Sequence, residues 1–384
     1  MFGLENKIKW GLLIGLFFVM LNGFTQVHTD TLTAREAKKL QKRFDKELAP
    51  NQKKLRVQYL PVIYYTPETK MAFGATAIGS FKFDFTDSLL KVSQVTPSFV
   101  YTLNNQMMAQ IAYNLNPNRN WEVSGRFGYF IYPYFFAGVG NQHNANTLAF
   151  YDAEYPVFEL NIYRLVYKDI VSLGLKYSFQ NTSISSDKGL VLTPDIAGAN
   201  GSTESSLGFG AKLETRDYKL SATKGWFIDF SVMWNEEAFG GSYQDQFLKL
   251  DIRKYISLTP KKDVLALQVY SEIHSGDVPF NLMSMLGGSQ SMRGYQRGIY
   301  RDRQMMVYQA EFRSRLFFKY LAFTVFGNYG AIGNNFQDAN KNYRYTYGAG
   351  LRYTPIPEKR YFIRFDYGRG QNTEGFYIGV GEAF

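Results

Sequence analysis

The chain has 384 residues, of which 45% are hydrophobic and 17% aromatic, with 29 Tyr, 33 Phe and 34 Gly. This composition argues against a helix-rich protein, which would lean on Ala, Leu and Glu, and favours strands that turn often. The formal charge of +10 (43 Lys+Arg against 33 Asp+Glu) is scattered, without the concentrated patch of a nucleic-acid binder, and the absence of Cys excludes disulfides and thiolate metal sites.

At the N-terminus, Lys7 and Lys9 precede a short apolar run from Trp10 to Leu21, followed by Asn22, Gly23 and Thr25. Positive start, apolar middle and polar end predict a signal peptide over residues 1–25, and the run is too short for a spanning anchor. Residues 26–56 form an expected short periplasmic segment. Within it Thr33-Ala34-Arg35-Glu36 is a capping box, and Ala37, Leu40, Phe44 and Leu48 recur at helical spacing opposite Lys38, Lys39, Lys42, Arg43 and Lys46. This amphipathic basic helix suits an anionic membrane surface or a pore mouth, and equally a solvated linker.

Residues 57–384 read as strand after strand. Trp226, Ile228, Phe230, Val232 and Trp234 alternate with Asp229 and Ser231, and Tyr361, Ile363, Phe365 and Tyr367 alternate with Arg364 and Asp366. One face is uniformly apolar while the other carries full charges, including Glu122, Arg126 and Lys176, which is the pattern of lipid outside and water inside. About sixteen such segments predict an all-β transmembrane antiparallel barrel, an even number as bacterial outer-membrane barrels have. Their cores begin at Leu60, Lys70, Lys91, Gln106, Trp121, Val157, Ile170, Ser205, Gly225, Phe247, Asp263, Gln304, Leu321, Tyr345, Tyr361 and Gly375. Connections after even strands are mostly tight, whereas those after odd strands include the long stretches 132–156, 180–203, 235–246, 275–303 and 331–344. That asymmetry predicts long extracellular loops and periplasmic termini. Pro61 in the first strand cannot donate to a ladder, and Gly375, Gly379 and Gly381 weaken the last, so the seam between them reads as the weakest ladder. Phe384 is expected in the aromatic girdle at the membrane interface.

The stretch most like a dedicated site is Gly287-Gly288-Ser289-Gln290-Ser291-Met292-Arg293-Gly294-Tyr295, in the sixth outer loop. It sets one arginine between glycine hinges and an aromatic ring. Met292-Arg293-Gly294-Tyr295 resembles the (V/I)RG(F/Y) motif of the BamA/TamA superfamily of outer-membrane barrels, also called the bacterial surface antigen family. There the sixth loop folds back so that its arginine meets acids on the inner wall. Ala310-Glu311-Phe312-Arg313 resembles the next strand of that family, and alternation points Glu311 inward, so the resemblance makes Glu311 the partner of Arg293. Two departures stand out. Asn328 occupies a position where the family often has an aspartate, which removes a second charge partner. The turn Arg216-Asp217 to Gly225 is similar to the family's RD...PTKG segment, with Ala222 in place of proline.

The resemblance covers the barrel alone. Members that insert or secrete proteins carry periplasmic POTRA domains, and with only a short segment before the barrel this sequence is expected to resemble the members that lack them. It implies a Gram-negative outer-membrane protein that assists insertion, assembly or translocation of outer-membrane components through the first/last-strand seam. A passive channel or receptor barrel is the competing expectation, and a membrane scaffold for a separate partner is the third. The expected partners are outer-membrane lipid, lipopolysaccharide and a periplasmic or POTRA-bearing protein, and nucleic acid is not among them. No cofactor or metal is expected, since His28, His143 and His274 lack ligand spacing. No enzyme is expected either: His274 and Ser275 adjoin, but neighbours in a strand point to opposite faces, and there is no nucleophile elbow.

Overall fold

The computed structural model describes residues 55–140, 149–188, 192, 196–259, 263–314, 316–355 and 361–384. The expected leader and basic helix fall on residues 1–54, outside the described residues.

Among the described residues eighteen strands run β1 (Arg56–Thr66), β2 (Lys70–Phe81), β3 (Ser93–Thr102), β4 (Met107–Asn118), β5 (Trp121–Phe136), β6 (Ala149–Tyr167), β7 (Val171–Lys188), β8 (Ser202–Glu214) and β9 (Gly225–Asn235). They continue as β10 (Asp245–Ser257), β11 (Val264–Gly276), β12 (Ser284–Leu286), β13 (Tyr300–Asp302), β14 (Gln304–Arg313), β15 (Leu321–Gly333), β16 (Arg344–Tyr353), β17 (Ile363–Gly370) and β18 (Thr373–Val380). Sixteen of them close an antiparallel barrel in chain order, and β12 with β13 forms a separate hairpin inside the connection 277–303. No helix among the described residues is long and apolar enough to cross a membrane.

The fold follows from the period-two pattern. Along β15, Ala322, Thr324, Phe326 and Asn328 are buried, while Phe323, Val325 and Tyr329 are exposed on the outer wall. A register slip of one residue would exchange these sets and put Asn328 in lipid, so the alternation fixes the pairing. Two predicted loops are shorter than expected. The stretch 132–156 is largely strand, since β5 runs on to Phe136 and β6 starts at Ala149, and β7 extends to Lys188. The inner aromatics of these extensions have a surface to cover. Phe136 and Tyr151 pack edge-on against Phe280 of the 277–303 connection, with ring centroids 5.0 Å apart in each case. With Phe130, Tyr155 and Val157 they form a buried apolar cluster over one end of the lumen.

Closure is uneven. β1 meets β18 through a single ladder pair, Tyr65 opposite Ile378, whereas every other neighbouring pair of barrel strands keeps register over at least eight residues. The reason is local. At Gly381 the backbone takes φ +81° and the chain leaves the wall, so Arg56–Val62 finds no strand on that side. Arg56 to Pro61 is exposed throughout. Pro61 therefore sits in the length of β1 that pairs with β2 alone, opposite Ala75, which suits a residue confined to edge strands.

Candidate functional site: a loop latched inside the barrel

The 277–303 connection folds into the lumen, and its sequence explains how. Gly287, Gly288 and Gly294 have φ of +109°, +92° and +109°, a region that side chains avoid. The first two open a turn that closes when the Gly288 N–H donates to the Tyr295 carbonyl at 2.9 Å. Met292 and Tyr295 then pack with Leu286 onto inward-facing Met305, Val307 and Ile332. This apolar contact seats the loop, leaving Arg293 to find polar partners on the opposite side.

Those partners are two carboxylates. Arg293 Nη2 lies 2.5 Å from Glu311 Oε2 on β14, and Nη1 lies 2.6 Å from Asp366 Oδ2 on β17. All three side chains are 0% exposed. The guanidinium also stacks on Phe326, 3.5 Å from the ring centroid. A planar fork that binds two acids and an aromatic face at once is a job for Arg and not for Lys.

Further ion pairs surround this centre. Arg313 Nε lies 2.7 Å from Glu311 Oε1, Arg352 Nη1 2.5 Å from Asp366 Oδ1, and Arg352 Nε 2.7 Å from Glu382 Oε2. Arg364 Nη1 is 3.8 Å from Asp366 Oδ2 and donates to the Ser289 carbonyl at 3.3 Å. Each buried carboxylate thus serves at least two arginines, which is the condition for a buried charge to be tolerated.

The loop touches both sides of the seam. On the β18 side, the Gly294 N–H donates to the Tyr377 hydroxyl at 3.0 Å and the Thr373 hydroxyl donates to the Gly294 carbonyl at 2.9 Å. On the β1 side, the Arg297 N–H donates to Glu68 Oε1 at 2.8 Å, in the turn between β1 and β2. The loop backbone reaches the wall because Gly368 leaves space: a Cβ there would sit 2.9 Å from the Arg293 carbonyl carbon.

Asn328 does not reach Arg293. Its amide donates to Thr346 Oγ1 at 2.8 Å, and the second acid comes instead from Asp366, two strands further round the wall. Phe384 is not in the interfacial girdle, because the turn at Gly381 carries Glu382, Ala383 and Phe384 into the lumen. There Phe384 is 7% exposed, packed with Tyr255, Val264, Ala266 and Ala222, under the Arg313 guanidinium at 5.2 Å. Gly379 faces inward, and the absence of a side chain there leaves room for Arg364. In the β8–β9 turn, Asp217 Oδ1 accepts from the Thr223 N–H at 2.7 Å, Arg216 pairs with Glu214 at 2.6 Å, and Gly225 takes φ +109°.

Sequence reasoning missed a buried arginine outside the network around Arg293. Arg301 is 0% exposed, lies within 5.5 Å of the ring centroids of Phe136, Tyr151 and Phe280, and donates to the Phe135 carbonyl at 2.6 Å. Its Nη1 donates to the Tyr151 hydroxyl at 3.0 Å. This cation pins the aromatic cluster over the mouth. The only sequence signal was its nearness to the glycine-rich stretch, since its partners come from β5, β6 and the residues before β12.

Elsewhere inward charges pair along the wall. Arg126 lies 2.6 Å from Glu159, its partner on the neighbouring strand, and Lys212 lies 3.5 Å from Glu122, three strands away. Spaces of about 210 and 120 Å³ remain beside the loop, both bordered by Arg297. No cluster of His, Asp and Glu among the described residues could hold a metal ion.

Comparison with known proteins gives three findings. The Omp85 superfamily domain matches residues 74–384. No curated protein matches. Among solved structures the chain is similar to BamA from Haemophilus ducreyi lacking POTRA domains 1-3, with 14% identity and a TM-score of 0.60 over 85% of this chain and 70% of that one. It is also similar to CdiB from Acinetobacter baumannii (13% identity, TM-score 0.53, 85% of this chain and 60% of that one). CdiB from Escherichia coli is comparable (10% identity, TM-score 0.57, 86% and 64%). At these identities the likeness is one of fold.

Proposed function

Because the chain belongs to the Omp85 superfamily, we propose that this outer-membrane barrel assists insertion, assembly or translocation of outer-membrane components through the gap between β1 and β18. The observation that carries the reading is the single ladder pair at Tyr65 and Ile378, with Arg56 to Pro61 left as an exposed edge. Unpaired N–H and C=O groups in a bilayer each cost several kcal/mol, so such an edge favours an incoming strand that can satisfy them. In this reading the strand ends near Arg56 face the periplasm, where a POTRA-bearing or other periplasmic protein delivers the client. The network around Arg293 has a defined duty. Through Arg313 and Arg352 it holds Glu382, keeping the last residues inside the lumen and off the edge of β1.

The test uses the absence of native Cys. Tyr65→Cys with Ile378→Cys, oxidised, locks the seam at its one pair. The readout is the rate at which a urea-unfolded outer-membrane protein folds into liposomes carrying the barrel. The oxidised pair should slow folding relative to the reduced pair. Equal rates would remove the seam as the route, and a wild-type barrel no faster than empty liposomes would remove the insertion reading itself. A large steady current in planar bilayers would favour the passive-channel reading, against which stand the seated loop and the aromatic cluster over the mouth.

A further inference from the structure

The outer wall far from the seam carries a feature the function above does not use. Residues paired across β5 to β9 form a rung, Trp121–Arg164–Leu173–Ala211–Phe230, all facing outward. On the next rung toward mid-membrane, Ile162, Leu175 and Phe209 face the same way. Ala211 is the small member between Leu173, Phe209 and Phe230, and inward-facing Gly174 and Gly210 contribute only backbone to the floor. The result is a trough of about 520 Å³, almost wholly apolar in its lining. At its rim stands Arg164, exposed, with its guanidinium 5.7 Å from the Trp121 ring centroid. Arg164 enters no ion pair among the described residues.

We propose that this trough is a binding site for one anionic glycerophospholipid, its phosphate on Arg164 and one acyl chain laid over Ala211. The occupant is set by position and charge. An outward trough on a membrane barrel faces acyl chains, not water, so an apolar ligand with a polar end is what can fill it. Trp121 is the first residue of β5, and indole at a strand end sits at headgroup level, which puts Arg164 beside phosphates. From Arg164 the hollow at Ala211 lies two strands away, roughly 10 Å at the spacing of neighbouring strands, within reach of a chain hanging from that phosphate. A single cation and a single hollow fit a glycerophospholipid better than lipopolysaccharide, which carries more phosphates and more chains. A nearby pair makes a natural control. Lys254 lies over outward Trp226, 4.4 Å from its ring centroid, on the β9–β10 pair and outside the residues that line the trough.

The site can be read through Trp121 itself. In a full-length Trp10→Phe/Trp226→Phe/Trp234→Phe background, Trp121 fluorescence is titrated with chain-brominated phosphatidylglycerol or phosphatidylcholine, and the bound lipid is then challenged with lipopolysaccharide. Half-quenching should occur at about a fivefold lower mole fraction of phosphatidylglycerol, the effect of one basic side chain at an anionic lipid surface. Arg164→Gln should abolish that preference, Arg164→Lys should retain most of it, and Lys254→Gln should leave it unchanged. Ala211→Phe should weaken quenching by both lipids while the barrel keeps its heat-modifiable mobility on gels. Equal quenching by the two lipids in the Arg164 protein, or a preference that survives Arg164→Gln, would overturn the site. Displacement by lipopolysaccharide at lower mole fraction than by phosphatidylglycerol would overturn the choice of ligand.

Discussion

Arg293 and Asp366, 73 positions apart in the chain, meet at 2.6 Å in the barrel interior, and the same guanidinium holds Glu311 at 2.5 Å. One side chain thereby joins the loop to β14 and β17, on either side of the two strands between them.

Arg293→Ala leaves Glu311 and Asp366 buried with fewer cations, which costs roughly 3 to 5 kcal/mol where the site is dry. The temperature at which the compact gel band converts to the unfolded one should fall. Arg293→Lys should recover only part of the loss, because an ammonium cannot span both acids and cover Phe326. An unchanged conversion temperature in Arg293→Ala would mean that the latch contributes nothing to the barrel.

The tail residues are predicted to be shielded. Phe384→Cys, the only thiol in the chain, should react slowly with a water-soluble maleimide in the folded barrel. Adding Arg352→Ala, which removes the 2.7 Å contact to Glu382, should speed labelling several-fold. Fast labelling of Phe384→Cys alone would place the tail outside the lumen.

Arg301 should govern the lid over the mouth and leave the wall intact. Arg301→Ala removes its bonds to the Phe135 carbonyl and the Tyr151 hydroxyl and vacates the space between Phe136 and Phe280. Limited proteolysis should then cut within 277–303 at protease concentrations that spare the native protein, with the band-conversion temperature nearly unchanged. Native-like resistance would show that the aromatic rings hold the lid without the cation.

Asp217→Ala removes the acceptor for the Thr223 and Lys224 N–H groups at 2.7 and 3.2 Å and for the Thr223 hydroxyl at 2.7 Å. A turn that loses its side-chain bonds typically costs on the order of 1 to 2 kcal/mol, here at an exposed site where water replaces part of the loss. Refolding yield from urea into detergent should drop modestly, and Asp217→Asn should lose less than Asp217→Ala.

The sequence by itself determined the wall. Period-two alternation selects a barrel, counts its strands and separates inward Glu311, Arg364 and Asp366 from outward Phe323, Val325 and Tyr367, because each choice depends only on neighbours along the chain. The same local logic marked Gly287, Gly288 and Gly294 as the hinges around Arg293. What lies opposite what inside the lumen is another matter. Alternation shows that Asp366 points inward but not that Arg293 reaches it, and Asn328, at the position where the family often has an aspartate, turns to Thr346. The destination of Phe384 was likewise beyond local pattern, because one left-handed residue, Gly381, redirects the tail from the lipid-facing row into the barrel. Contacts across a closed lumen join residues from distant strands, and only closure of the sheet brings them within reach.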